Sequence, residues 1–203
     1  MADNQRQELI QTAMAKMRQV GIRSVSIDDV CRELGISKKT FYVYFATKDE
    51  LVEAMLYQLE NDVNANIRNI LKEKTVMELL LNCQKIIHNA RDVRKIPPLL
   101  FDLEKYYPQL YKAHNARTRQ YAKENMHIVL SRGIEEHIFR EDLDIDKVSS
   151  IIVMMRETVM NMPLERREDR KTMEIVKYSI DIVMRGIMSE EGRRKMVEMS
   201  EKK

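Results

Sequence analysis

Between Ser26 and Lys48 the chain reads SIDDVCRELGISKKTFYVYFATK, and this stretch restricts the fold more than any other. Ser26 opens an apolar stripe of Ile27, Val30, Cys31 and Leu34, whose spacing is helical. Asp29, three residues beyond Ser26, completes a capping-box arrangement at the start of that helix. Gly35 permits a sharp turn, Ile36 plugs the core, and Ser37 starts a second short helix. Phe41 and Phe45, four residues apart, share its inner face and leave Lys38, Lys39, Thr40 and Tyr42 more exposed. Two short helices about a glycine turn, the second bearing lysines and hydroxyls, are the local design of a helix-turn-helix that enters a DNA major groove.

Around this stretch the chain predicts an all-α fold. Its 203 residues include five Gly, four Pro and no Trp, with long runs of good helix formers. A first helix over roughly 4–20 carries Ile10, Ala13, Met14, Met17 and Val20 at helical spacing, and Gly21 stops it. Thr47 and Glu50 form a second capping box and open a long helix to about residue 70. Further helices are read at 75–88, 98–106, 108–136, 146–161 and 167–188, about nine in all, with proline placed in first turns. Residues 139–146 read as a loop and cap, and the connection 162–166 is short enough to fold the last two helices back as an antiparallel pair. Residues 189–203 read as a charged, frayed tail.

Composition excludes more than it identifies. Thirty-five basic against 32 acidic residues give a net charge of only +3, so bulk charge does not announce a nucleic-acid partner. The stretch 34–48, however, holds Lys38, Lys39 and Lys48 and no acidic residue, and with nearby hydroxyls these lysines suit phosphate oxygens. Cys31 and Cys83 lack metal-like spacing, and Cys31 on an apolar face reads as a buried thiol. His88, His114, His127 and His137 show no ligand spacing. Asp142, Asp144 and Asp146 lack the glycine of a calcium loop and read as helix caps, while Glu165–Lys171 reads as a solvated connection. No metal and no cofactor are expected. No secretory pattern and no span-length apolar run occur, so a soluble, cytoplasmic protein is expected.

The last two helices are too apolar to be buried on one face alone. Ile151, Ile152, Met155 and Val159 on one, and Ile175, Val176, Ile180, Ile182, Val183, Met184 and Ile187 on the other, call for a partner chain. Two copies of this pair make a four-helix homodimer interface, with Ile152, Val159, Ile175, Ile182 and Met184 as its candidate residues.

Taken together, several features resemble the tetracycline-repressor (TetR-like) family of bacterial transcriptional regulators. The first-helix stripe ends in Gly21; Ser26-Ile27, Asp29-Val30 and Leu34-Gly35-Ile36-Ser37 follow; then come Thr40-Phe41-Tyr42, Tyr44-Phe45 and Lys48-Asp49-Glu50-Leu51. The resemblance covers about residues 8–55; beyond them it is architectural. It implies a DNA-binding domain at 1–50, a larger effector-binding and dimerisation domain at 51–188, and a tail at 189–203. It also implies a homodimeric, ligand-responsive repressor on a palindromic double-stranded DNA operator, with an unknown small-molecule effector. By analogy Lys38, Lys39 and Thr40 face the groove. Tyr42, Tyr44 and Lys48 reach backbone phosphate, and Ser26 and Ser37 add hydroxyl and helix-end contacts. Lys39 stands where the family often has a small residue. Val43 replaces a common aromatic, which removes one backbone contact, so the operator does not transfer.

The same architecture motivates a pocket lined by Phe101, Tyr106, Tyr107, Tyr111, Met154, Met155 and Met160, because thioethers conform to varied apolar shapes. For each of these residues singly, core packing is the leading reading. An alternative function is a helical interaction protein or small helical enzyme without a DNA role. No Ser–His–acid grouping, metal cluster or phosphate loop supports an enzyme.

Overall fold

Hydroxyl caps and glycine stops divide the chain into ten helices among the described residues. The computed structural model describes residues 2–88, 98–160, 162 and 169–201. The helices are α1 Ala2–Val20, α2 Ile27–Leu34, α3 Lys38–Tyr44, α4 Lys48–Glu73 and α5 Val76–His88. They continue with α6 Pro98–Tyr106, α7 Pro108–Glu135, α8 Ile145–Met160, α9 Arg170–Ile187 and α10 Glu190–Glu201. The all-α expectation holds, with one isolated antiparallel bridge between Phe139 and Met188.

Packing groups the chain into two units. Residues Met1–Ala65 and Ile96–Thr118 form the first, and Asn66–Lys95 and Arg119–Lys203 the second. In unit 1, α1 buries Leu9, Ile10, Ala13 and Met17 against Val30 and Cys31 of α2 and Phe41 of α3. Leu51, Val52, Met55 and Leu56 of α4 and Leu99 and Leu103 of α6 complete that core. Each such side chain removed from water contributes about 1.5–3 kcal/mol, so this cluster holds the short α2 and α3, which are too brief to stand alone. The division groups α6 with the N-terminal helices.

In unit 2 the core gathers Val76, Met77, Leu130, Ile138, Phe139, Ile187 and Met188. Here the sequence reading needs correction. Residues 190–201 do not fray; they form α10. Gly192 is buried, and a Cβ there would lie 2.2 Å from the Ile138 carbonyl oxygen, so glycine alone permits the approach. Ser189 donates its backbone N–H to Ile138 O at 3.0 Å and its hydroxyl to His137 O at 2.6 Å, securing the chain where α10 begins. The expected connection at 162–166, apart from Met162, and most of the charged cluster 165–171 lie outside the described residues.

Candidate nucleic-acid interface

α2 and α3 are set by their ends. Ser26 accepts the Asp29 N–H at 3.1 Å, and Asp29 accepts the Ser26 N–H at 2.9 Å, closing the capping box. The Ser26 hydroxyl also bonds Asp29 at 2.6 Å, and these hydrogen bonds hold the Asp29 carboxyl below its ordinary pKa. Gly35 stops α2 in the left-handed region at φ 64°, and the Ile36 N–H reaches Cys31 O at 3.0 Å. Ser37 then caps α3 by accepting the Thr40 N–H at 3.1 Å, and its hydroxyl meets that of Thr40 at 2.9 Å. Phe41 and Phe45 are buried with ring centroids 5.8 Å apart, which fixes the inner face of α3.

The outer face follows from that anchoring. Lys39 is exposed, Tyr42 is 52% exposed and Val43 is 74% exposed. Spaced by three and four residues, these side chains share one face of the helix. Val43 is the residue that sequence reasoning underrates. Set against an aromatic it is only a missing backbone contact, yet its isopropyl group stands almost free on the outer face.

Three other candidates already have partners within the fold. Lys38 pairs with Asp28 at 2.9 Å, so the lysine without an acidic neighbour in sequence gains one across the turn. That hydrogen bond raises the pKa of Lys38. Tyr44 donates its hydroxyl to Gln5 Oε1 at 3.0 Å and is partly buried. Lys48 donates to Ile22 O at 2.7 Å, and burial lowers its pKa from the ordinary lysine value. An ammonium has three protons, so Lys48 retains two donors beyond that carbonyl. The Thr47 and Glu50 cap forms as expected, Thr47 accepting the Glu50 N–H at 3.1 Å, although Glu50 turns back to the N–H of Ala46 at 2.7 Å.

Comparison with known proteins bears on this same stretch. Residues 9–55 match the bacterial regulatory proteins of the tetR family. The HTH-type transcriptional repressor KstR2 of Mycobacterium tuberculosis is 26% identical over 157 residues, covering 74% of this chain and 76% of that protein. The uncharacterized HTH-type transcriptional regulator YvaF of Bacillus subtilis is 23% identical over 171 residues, 83% of this chain and 88% of that one. A TetR-family transcriptional regulator from Cytophaga hutchinsonii shares the fold, with a TM-score of 0.66 at 20% identity over 93% of this chain and 97% of that one. Over residues 9–55 the chain is TetR-like.

The expected pocket residues are divided between the two units. Phe101, Tyr106, Tyr107 and Tyr111 belong to unit 1, and Met154 and Met155 to unit 2. Phe101 is 52% exposed and Met154 64%, whereas Tyr107 and Tyr111 pack against the first core and Met155 is half-buried. The Met160 side chain lies outside the described residues. A shallow depression of about 450 Å³ in unit 2 is lined by Lys123, Asp146, Lys147, Ser150 and Ile151, and shares none of these residues. Of the expected dimer residues, Ile175 (66%) and Ile182 (53%) are exposed, joined by Tyr178 (66%) on the same helix. Ile152, Val159 and Met184 are half-buried, and Ile152 and Met184 pack on the second core. Among the described residues no cluster fits a metal ion, and no helix is long and apolar enough to cross a membrane.

Proposed function

We propose that this TetR-like protein is a cytoplasmic, homodimeric repressor that binds a palindromic double-stranded DNA operator and releases it when a small molecule binds. The observation that carries the reading is the exposed Lys39–Tyr42–Val43 face on a helix held rigidly by Phe41 and Phe45. Lys39 reaches base edges or phosphate, Tyr42 donates its hydroxyl to phosphate, and Val43 fits the methyl group of thymine. The hydroxyls of Ser26, Ser37 and Thr40 lie at the starts of α2 and α3, where helix N-termini favour phosphate. Lys48 grips the α1–α2 loop through Ile22 and turns its remaining donors to the backbone, while Lys38 and Tyr44 make contact by exchanging their internal partners.

Repression is supported by likeness to KstR2, named as a repressor. Dimerisation through α8 and α9 is supported by their exposed apolar residues, Ile151, Met154, Ile175, Tyr178 and Ile182. Two recognition helices then address half-sites about 34 Å apart. The residues 1–50 read DNA and 51–188 hold effector and partner. An effector acts only through a difference in its affinity for the DNA-competent and released conformations.

Selection from a random duplex pool, followed by mobility shifts, tests the reading. Tyr42→Phe weakens binding to all sequences, and Lys39→Ala also changes base preference, by about 1–3 kcal/mol if it makes a paired base contact. A pool that yields no enriched sequence, or wild-type binding by the Lys39→Ala/Tyr42→Phe double variant, rejects the assignment.

A further inference from the structure

α6 lies outside the helix-turn-helix, yet it is locked to the loop that leads into α2. Asp102 accepts the Arg23 backbone N–H at 2.8 Å. Gly21, at φ +87°, lets the same carboxylate approach so closely that a Cβ would stand 2.5 Å from Asp102 Oδ2. This docking brings Tyr106 beneath two cations. The Arg23 guanidinium lies 4.6 Å from its ring centroid and the Lys105 ammonium 5.3 Å, with Lys105 also 5.6 Å from the ring of Phe101. Arg23 and Lys105 are exposed, as are Phe101 (52%) and Tyr106 (38%).

Two properties set this node apart from an ordinary solvated surface. Lys16, Arg32 and Lys38 spend their charges on Glu33, Asp29 and Asp28. Neither the Arg23 nor the Lys105 side chain forms an ion pair among the described residues; each rests on an aromatic face. Such aromatic seats hold a cation in place without neutralising it. Arg23 and then Lys105, both close to the ring, lower the Tyr106 pKa from its ordinary value. The node is also continuous with the proposed phosphate edge. Ile22, whose carbonyl holds Lys48, precedes Arg23, and Ser26, the cap of α2, follows three residues later.

We propose that Arg23 and Lys105, seated on Tyr106, form a second clamp for DNA backbone phosphate, contributed jointly by the α1–α2 loop and α6. Fixed cations in pairs suit phosphate oxygens, and contacts of this kind add affinity without reading sequence. The clamp exists only while Asp102 holds α6 against Gly21 and Arg23, so DNA affinity depends on the docking of α6 as well as on α3. The inference rests on the DNA-binding reading above.

The test is the salt dependence of binding to a fluorescent mixed-sequence duplex of about 40 base pairs, between about 50 and 200 mM salt. The proteins compared are the wild-type chain, Arg23→Ala/Lys105→Ala, Lys39→Ala, and Lys171→Ala on the exposed surface of α9. Both clamp substitutions leave the Asp102 hydrogen bond to the Arg23 backbone in place, so thermal unfolding should match the wild type. The expected result is a salt slope smaller by about 1.8 for each bound protomer in the clamp variant, at about 0.9 for each phosphate no longer neutralised, with Lys171→Ala unchanged. An unchanged slope in the clamp variant beside a reduced one in Lys39→Ala overturns the clamp alone. Equal reductions in the clamp and Lys171→Ala variants overturn it in favour of bulk charge. A wild-type chain that does not bind the duplex removes the DNA-binding reading, and the clamp with it.

Discussion

Replacing Glu60 with leucine tests whether the pairing of α4 with α7 inside unit 1 rests on charge. The Glu60 side chain is fully buried and meets His114 Nδ1 at 2.7 Å, Arg117 Nε at 2.5 Å and Arg117 Nη2 at 3.0 Å. Arg117 is held over the Tyr57 ring at 4.0 Å, with Glu53 adding a more distant negative charge. Burial opposes the Glu60 charge, but the hydrogen bonds from His114 and Arg117 outweigh it and bring the carboxyl below its ordinary pKa. Breaking a buried pair costs about 3–5 kcal/mol. The lower end, about 3 kcal/mol, applies because the Arg117 and His114 side chains keep 21% and 12% exposure and take up water. At about 2–4 °C per kcal/mol for a chain of this size, Tm falls by roughly 6–12 °C. A carboxylate with a lowered folded pKa stabilises the protein above its unfolded value, about 4.3, and loses that contribution as pH falls through the folded value. The gap between wild type and Glu60→Leu should therefore be full at neutral pH and narrow in acid, with Glu60→Gln in between. Urea unfolding followed by circular dichroism measures it. A gap under about 1 kcal/mol at neutral pH, or one that stays constant into acid, refutes the charge argument.

Gly192→Ala places a Cβ 2.2 Å from the Ile138 carbonyl oxygen, so α10 should lift away at a cost of about 1–3 kcal/mol. Faster tryptic cleavage after Arg193 and Arg194 would report it. Val43→Ala should weaken binding to the selected operator about fourfold if it removes one methyl-sized apolar touch on a base. Replacing thymine by uracil should then weaken the wild type but not the variant, and equal weakening of both would remove Val43 from base reading. Ile175→Asp combined with Ile182→Asp should raise the dimer dissociation constant by more than about tenfold, since two exposed apolar side chains supply well over 1.4 kcal/mol. Sedimentation that finds the same dimer constant in this variant and the wild type would move the interface elsewhere.

What is legible in the sequence is what the chain decides within a few residues. Ser26 with Asp29, Gly35, Ser37 as the start of α3, and Phe41 with Phe45 each act over four residues or fewer, and the structure bears each of them out. What escapes is decided by partners distant in sequence. Lys38 is isolated along the chain but meets Asp28 across the turn, and Lys48 finds the carbonyl of Ile22, 26 residues away. α10 resembles a frayed tail because its polar surface says nothing of Gly192 against Ile138, or of Ser189 bonded to His137 52 residues earlier. The α6 node escapes for the same reason: Arg23 and Asp102 are 79 residues apart. Its one local trace is the run Lys105-Tyr106-Tyr107, whose aromatics suit a pocket lining equally well.

The charge balance of unit 1 explains why such placed groups matter. Residues 1–65 and 96–118 together carry 11 Lys and Arg against 12 Asp and Glu, so the unit has no net field to draw in a polyanion. Attraction over more than about 10 Å is weak in physiological salt, and binding must come from cations held at the contact itself. Asp28 compensates Lys38 within the fold, which thins that supply further. On the proposed reading, affinity then rests on few contacts, among them Lys39 on α3 and the pair on Tyr106. Losing about 1.4 kcal/mol of them weakens DNA binding tenfold, a modest difference for an effector to impose. A regulator with a strongly basic head would hold DNA through many redundant contacts and would need a much larger conformational bias to let go. A nearly neutral head with a few positioned cations is the easier one to switch.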